Sequence, residues 1–549
     1  MKYSFSILIV LTTIILFGCG KTKKIDLIVH NAKIYTVNES FEVVEAMAID
    51  KGKIIAVGAE NEIKNKYLAT EYLDVKQMNV YPGFIDAHCH LYNYAALLQE
   101  LDLTGTTSFN QVLDKIESYS KINKFEWILG RGWDQNDWEN KEFPTKEKLD
   151  ELYPETPVFL VRIDGHAALV NQKALDLAQI DSKTTIKGGI VELKNNQLTG
   201  ILLDNAVDSL KKTIPLKDKK LLTEQLLAAQ KKLFKVGLTT IDEAGLEKEQ
   251  IDLLDELHQS SKLKLKVYAM ISSSEELLDY YLKRGPYKTE RLNVSSFKFY
   301  ADGALGSRGA CLLEPYSDVH TYNHYGLLIN ERAYFEKYAP LLYEKGFQMN
   351  THCIGDSANE MVLSVYSSVL KTTNDKRWRI EHAQVLDPGH FEMYKNYTII
   401  PSVQPTHATS DMYWAEDRVG NERIKNAYAY QQLLLQNGLI ALGTDFPIEG
   451  INPINTFYAA VARKDAKGYP EGGFQIENGL SRQEALKGMT IWAALSNFEE
   501  NEKGSIEVGK FADFVITDKD IMNVKENELL RTKVLYTFIN GEKVYSAEN

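Results

Sequence analysis

The chain has 549 residues, 44% of them hydrophobic and 25% charged, with a formal net charge of −12. That length exceeds one simple core and allows two or three domains of ordinary size, and the composition is that of a globular protein. The acidic balance argues against a nucleic-acid partner, because phosphate binding needs a basic footprint.

Lys2 gives the N-terminus a short positive region, and Ile7 to Phe17 is an apolar run. The run is shorter than the ~20 residues a membrane-spanning helix needs. It ends at Leu16-Phe17-Gly18-Cys19, which resembles a bacterial lipobox. The resemblance implies a signal peptide over residues 1–18, cleavage before Cys19 and lipid attachment to it; a plain cleaved signal peptide is the alternative. The expected location is the bacterial cell envelope, outside the cytoplasm, with acyl chains anchoring the protein rather than a spanning helix. Cys89, Cys311 and Cys353 remain, an odd and widely spaced set that makes no disulfide framework.

Short strands and turns fill 25–80, where Leu27-Ile28-Val29, Lys33-Ile34-Tyr35 and Ala46-Met47-Ala48-Ile49 are separated by polar stretches. The same character returns over 504–549, so both termini are expected to build one small β-sandwich. Between them, 81–503 alternates strands and helices, the pattern of a parallel sheet with helical crossovers. Strands are read at the stretch ending in His88-Cys89-His90, then Gly237–Asp242, Leu265–Ile271, Ser295–Asp302, Phe347–His352, Trp378–His382, Thr398–Gln404 and Leu439–Asp445. Those eight strands are the number that closes an α/β (β/α)8 TIM barrel. The interval 101–221 breaks the rhythm and is expected as a large insertion after the first barrel strand, covering the mouth.

In Tyr81-Pro-Gly-Phe-Ile-Asp-Ala-His-Cys-His90, strand alternation puts Asp86, His88 and His90 on one face. Two imidazoles at one strand end can bind a metal while staying neutral. Active sites of such barrels lie at the C-terminal strand ends. Those ends carry, in order, His88 and His90, Lys298, His352, His382 and Asp445. A core-histidine explanation would have to be repeated at one level of the barrel four times, for His88, His90, His352 and His382. Metal binding accounts for them together.

These motifs are similar to those of the amidohydrolase superfamily, and within it of the YtcJ-like branch (amidohydrolase family 3). The likeness runs through P-G-F-I-D-A-H-C-H, D-G-H-A-A-L-V-N-Q-K-A-L from Asp164, A-D-G-A-L-G-S-R-G-A from Ala301, S-V-Q-P-T-H-A-T-S-D-M from Ser402, G-T-D-F-P-I-E from Gly443 and G-S-I-E-V-G-K-F-A-D from Gly504. It implies a divalent metal, expected to be zinc and one or two ions, held by His88, His90, His352, His382 and Asp445. Lys298 stands where many superfamily members carry an N6-carboxylated lysine bridging two metals; an ion pair of Lys298 with Asp302 or Asp445 is the alternative.

The implied activity is hydrolysis of a non-peptide carbon–nitrogen bond, amide or N-acyl, through a metal-activated hydroxide. Asp445 is the expected catalytic residue, taking the proton from water and giving it to the leaving nitrogen. Trp133, His166, Tyr300, Arg308 and Gln404 are the substrate-binding candidates. Arg308 pairs either with a substrate carboxylate or with a nearby acidic side chain, and His407 lies just past its strand and fits either role. An esterase, lactonase or carbamate hydrolase on the same metals is the second reading, and a non-catalytic ligand-binding lipoprotein the third. The expected partners are a small-molecule substrate, a membrane through the lipid anchor only, and a second copy of the chain as a homodimer.

Overall fold

The computed structural model describes residues 23–98, 101–122, 126–215 and 219–547. Cys19 and the 1–18 segment lie outside the described residues. No described helix is long and apolar enough to cross a membrane.

The centre is a run of eight parallel strands. They are β1 (Phe84–Cys89), β2 (Leu238–Leu246), β3 (Lys266–Ser272), β4 (Leu292–Tyr300), β5 (Gln348–Cys353), β6 (Arg379–His382), β7 (Ile400–Val403) and β8 (Ala441–Leu442). Each pairs with the next in chain order, and the sheet curls into a nearly closed TIM-type barrel, the fold class that the strand count indicates. β1 and β5 are buried along their whole length, because helices cover the outer face and side chains fill the inner one. Crossover helices begin and end on local signals. Glu247 and Gln250 form a capping box at the start of Lys248–Gln259. Gly346, at φ 76°, ends Arg332–Lys345 in the left-handed conformation that a side chain would resist.

β8 is shorter than the Leu439–Asp445 strand read from sequence. Asp86 on β1 accepts hydrogen bonds from Thr444 N at 2.9 Å and Thr444 Oγ1 at 2.7 Å, which pulls the chain inward. Backbone bonds Asp445 N→His88 O (2.7 Å) and His90 N→Phe446 O (2.8 Å) then stitch the seam between β8 and β1. The approach is so close that a Cβ on Gly443 would lie 2.5 Å from His88 N.

Two further sheets are built by the ends of the chain. Lys53–Gly58, Ala46–Asp50, Lys23–His30 and Tyr67–Asp74 form one of four strands. A second, of six strands, pairs Asn79–Pro82 antiparallel with Phe514–Thr517 and so joins N- and C-terminal segments. Their shared core includes Val29, Met47, Phe514 and Phe538, the last two rings stacked at 4.3 Å. Within 101–204 a third, six-stranded sheet contains Ile128–Trp133, Val158–Arg162 and Ala167–Val170. Loops of this sheet reach the barrel mouth, where Asp134, Asp164 and His166 help line the main cavity.

Candidate active site

The histidines arrive at one level because each closes its own strand. Register aligns Tyr300 on β4 with His352 on β5, and Cys353 on β5 with His382 on β6. The ligand atoms of His88, His382 and Asp445 all lie within 4.8 Å of one another. Ring centroids are 4.9 Å apart for His88 and His382 and 4.6 Å for His352 and His382. His90 Nε2 stands 3.2 Å from Asp445 Oδ1. Lys298 Nζ lies 2.9 Å from His88 Nε2. His382 (φ 72°) and Asp445 (φ 60°) sit in the left-handed region, which non-glycine residues adopt at a cost and mostly where function holds them.

The electrostatics separate the donors into neutral nitrogens and one ionised oxygen pair. Burial drives the imidazole of His90 down to about 4 and those of His352 and His382 well below the usual range. Burial works against ionisation of Asp445. The bond from His90 and the fields of His88, His90 and His382 nevertheless hold its carboxyl well below the usual range. Asp445 Oδ1 is buried, 3.2 Å from His90 Nε2 and 3.8 Å from His88 Nε2. A buried, ionised carboxylate that several imidazoles face at once fits a divalent cation, since buried charges are otherwise paired.

Behind the ligands sit groups that fix ring orientation. His88 Nδ1 donates to Glu381 Oε2 at 2.5 Å, turning Nε2 toward the cluster. His382 Nδ1 donates to Gln404 Oε1 at 2.8 Å and does the same. Asp86 and Asp302 accept only backbone and hydroxyl bonds; Asp302 gathers the amides of Cys311, Ile354 and Gly355 and so pins the loops after β4 and β5.

Above the cluster opens a cavity of about 280 Å³. Its walls carry His90, Lys298, His352, His382 and Asp445 together with side chains from the 101–204 region and from the segments after β7 and β8. A profile of the amidohydrolase family matches residues 71–545, almost the whole described chain. The chain belongs to the amidohydrolase family. This amidohydrolase is 31% identical to YtcJ of Bacillus subtilis (strain 168), over 94% of this chain and 98% of that protein. It is 26% identical to the N-substituted formamide deformylase of Arthrobacter pascens, over 95% of this chain and 98% of the relative. Among solved structures, an uncharacterized metal-dependent hydrolase of Pyrococcus horikoshii OT3 shares 29% identity with a TM-score of 0.75, covering 91% of this chain and 99% of its own. The protein is thus a hydrolase, and its His–His–Asp cluster fits a divalent metal.

The substrate-binding candidates of this amidohydrolase fall into two groups. His166 and Tyr300 line the cavity. His166 Nδ1 donates to Asp204 at 2.8 Å, and its ring centroid lies 5.2 Å from that of His352. Trp133, Gln404 and Arg308 are not among the residues that line it. The Trp133 indole is buried in the core of the 101–204 sheet and donates to Leu160 O at 2.8 Å, because strand pairing turns it inward. Gln404 is consumed by His382. Arg308 pairs with Asp318 at 2.9 Å beside a separate cavity of about 470 Å³, the second of the alternatives its sequence context allowed. His407 does line the cavity, its Nε2 3.7 Å from Asp445 Oδ2. Sequence reasoning missed Glu381, Asp411 and Glu449. Each had a signal: Glu381 stands beside His382 in Arg-Ile-Glu-His, and Asp411 and Glu449 fall within the motifs that begin at Ser402 and Gly443.

Proposed function

We propose that this amidohydrolase hydrolyses a non-peptide carbon–nitrogen bond, amide or N-acyl, in a small molecule. The observation that carries the reading is Asp445, a buried carboxylate held ionised at the floor of the cavity beside His88, His90 and His382. A divalent cation, with zinc the expected ion for this nitrogen and oxygen donor set, supplies Lewis-acid chemistry there: it acidifies water and polarises a carbonyl. His88, His90, His352 and His382 would hold it through ring nitrogens, and burial keeps those of His90, His352 and His382 free of protons. Asp445 accepts the proton of the attacking water and passes it to the leaving nitrogen, which an amine leaving group requires. Tyr300 and His166 on the cavity wall orient the carbonyl side.

Burial lowers the Lys298 amine to about 8, so part of it is unprotonated near neutral pH and able to take up CO2. Carboxylated Lys298 would present oxygen beside His88 and bridge a pair of ions. The likeness to a relative named for deformylating N-substituted formamides supports a carbon–nitrogen bond over an ester. The test is turnover of N-formyl and N-acyl amines against matched esters by metal-loaded protein. Amide cleavage is expected to dominate, and cleavage of esters alone would favour an esterase, lactonase or carbamate hydrolase on the same groups.

We also infer a lipid anchor at Cys19 and residence at the cell envelope, from the Leu16-Phe17-Gly18-Cys19 motif. Cys19→Ser should release the protein from the membrane fraction or block its maturation. A processed variant that still sediments with membranes would overturn the assignment.

A further inference from the structure

Outside the metal cluster the cavity wall is acidic. It carries Asp134, Asp137, Asp164, Asp411 and Glu449, against Arg162 as the strong cation. Arg162 is already committed: Nε donates to Gln135 at 2.8 Å, Nη1 to Asp164 at 2.6 Å, and Nη2 to Asp134. Asp411 and Glu449 have no such partner. Asp411 accepts from Tyr428 at 2.8 Å, Glu449 accepts from Ser410 at 2.6 Å, and neither forms an ion pair among the described residues. Burial accordingly pushes the Asp411 carboxyl up to about 7 and raises that of Glu449. Both carboxyls are half-buried, and a ligand that brings positive charge would hold them ionised.

A second observation comes from His407, one turn before Asp411 on the Pro405–Asp411 helix and on the same face. His407 is 9% exposed, lines the cavity, and its Nε2 has no hydrogen-bond partner. Trp414 lines the same wall, its ring already carrying the Arg418 guanidinium at 5.6 Å. The unpaired groups here therefore call for a ligand rich in N–H donors and positive charge. Their position also sets its orientation. His407 Nε2 is 3.7 Å from Asp445 Oδ2, so this wall adjoins the carboxylate that hands a proton to the leaving nitrogen.

We infer that Asp411, Glu449 and His407 form a subsite for a positively charged nitrogen on the amine side of the substrate, so that the preferred substrates are N-acyl derivatives of diamines or similar cationic amines. This rests on the amide-hydrolysis reading of the same cavity. N-acyl amino acids, whose leaving amine bears a carboxylate, would be disfavoured by the same wall.

The test compares three acetamides of equal reach with metal-loaded enzyme: mono-N-acetyl-diaminobutane, N-butylacetamide and acetamidobutanoate. The cationic amide should exceed the neutral one in kcat/KM by about tenfold or more, the ratio that one charge-assisted hydrogen bond gives, with the anionic amide slowest. In Asp411→Asn/Glu449→Gln the three should converge; Glu449→Gln alone, which removes only the bond from exposed Ser410, serves if the double variant does not fold. Equal turnover of the neutral or anionic amide, or a preference that survives in the variant, overturns the subsite and leaves the hydrolase reading intact. If no amide is turned over, calorimetric binding of diaminobutane and butylamine decides. Tighter diamine binding that disappears in the variant keeps the subsite while the amide reading falls, and equal binding overturns the subsite.

Discussion

Replacing Glu381 by glutamine isolates what a carboxylate behind a metal ligand contributes. Glu381 is fully buried, Oε2 accepts from His88 Nδ1, and Oε1 lies 3.9 Å from Arg379 with no hydrogen bond of its own. Burial opposes its ionisation, yet His88 and then Arg379 hold the carboxyl below the usual range. Glutamine keeps the volume and a carbonyl that still accepts from His88, but it removes the charge that makes the His88 imidazole a stronger donor to metal. Loss of such outer partners weakens metal binding about 10–100-fold, or roughly 1.4–2.8 kcal/mol. A second effect falls on folding. Breaking a buried charge pair costs about 3–5 kcal/mol, but Arg379 keeps Asp242 at 2.9 Å. The stability loss should therefore be about 3 kcal/mol or less. Metal affinity is read by competition with a chromogenic chelator, and stability by unfolding of the metal-free protein. A Glu381→Gln variant that is less stable but binds metal within about twofold of the parent, short of that range, would show that Glu381 only packs the barrel.

Asp445→Asn should lower kcat by ~10²–10⁴ while metal content falls less than in a His88→Ala/His90→Ala double variant; an Asn variant keeping its metal and about a tenth of its activity, well short of that loss, would assign the proton transfer to another group. Gly443→Ala should lose metal and about 1–3 kcal/mol of stability together, because its Cβ would meet His88 N at 2.5 Å and Asp86 Oδ1 at 2.9 Å. Parental metal content and Tm would show that the seam has room. His258 donates from Nε2 to Leu265 O at 2.9 Å, and burial lowers its imidazole to about 4. The unfolded chain takes up that proton near 6.5, so the contribution is complete above about pH 6.5 and is lost as pH falls toward 4, roughly 3 kcal/mol in all. His258→Gln cannot titrate, and its unfolding free energy should fall less than the parent's over that window; parallel pH profiles would refute the assignment.

The strand ends were legible because chemistry and periodicity coincide there. Each metal-ligand candidate stands at or just past the end of a strand-like stretch, and the parallel barrel places every such end on one rim. His88, His352, His382 and Asp445 therefore converge although up to 357 positions separate them in the chain. The boundary of β8 was not legible, because Gly443-Thr444-Asp445 reads as a continued strand until Asp86 captures Thr444. The orientation of Trp133 was not legible for a similar reason. Its motif neighbours Asp134 and Asp137 do line the cavity, while strand pairing turns the indole the other way into the sheet's core.

The sequence by itself determined the barrel, the histidine and aspartate set and the family, since these rest on local periodicity and on residue types that only metal chemistry explains together. Only the tertiary structure decided which polar side chains face the substrate and which serve other residues. Gln404 and Glu381 turn ligand rings, Arg162 and Arg308 spend their charge on neighbouring carboxylates, and Asp411 and Glu449 are left unpaired. Whether a charge is free depends on partners distant in sequence, and such partnerships exist only once the chain is folded.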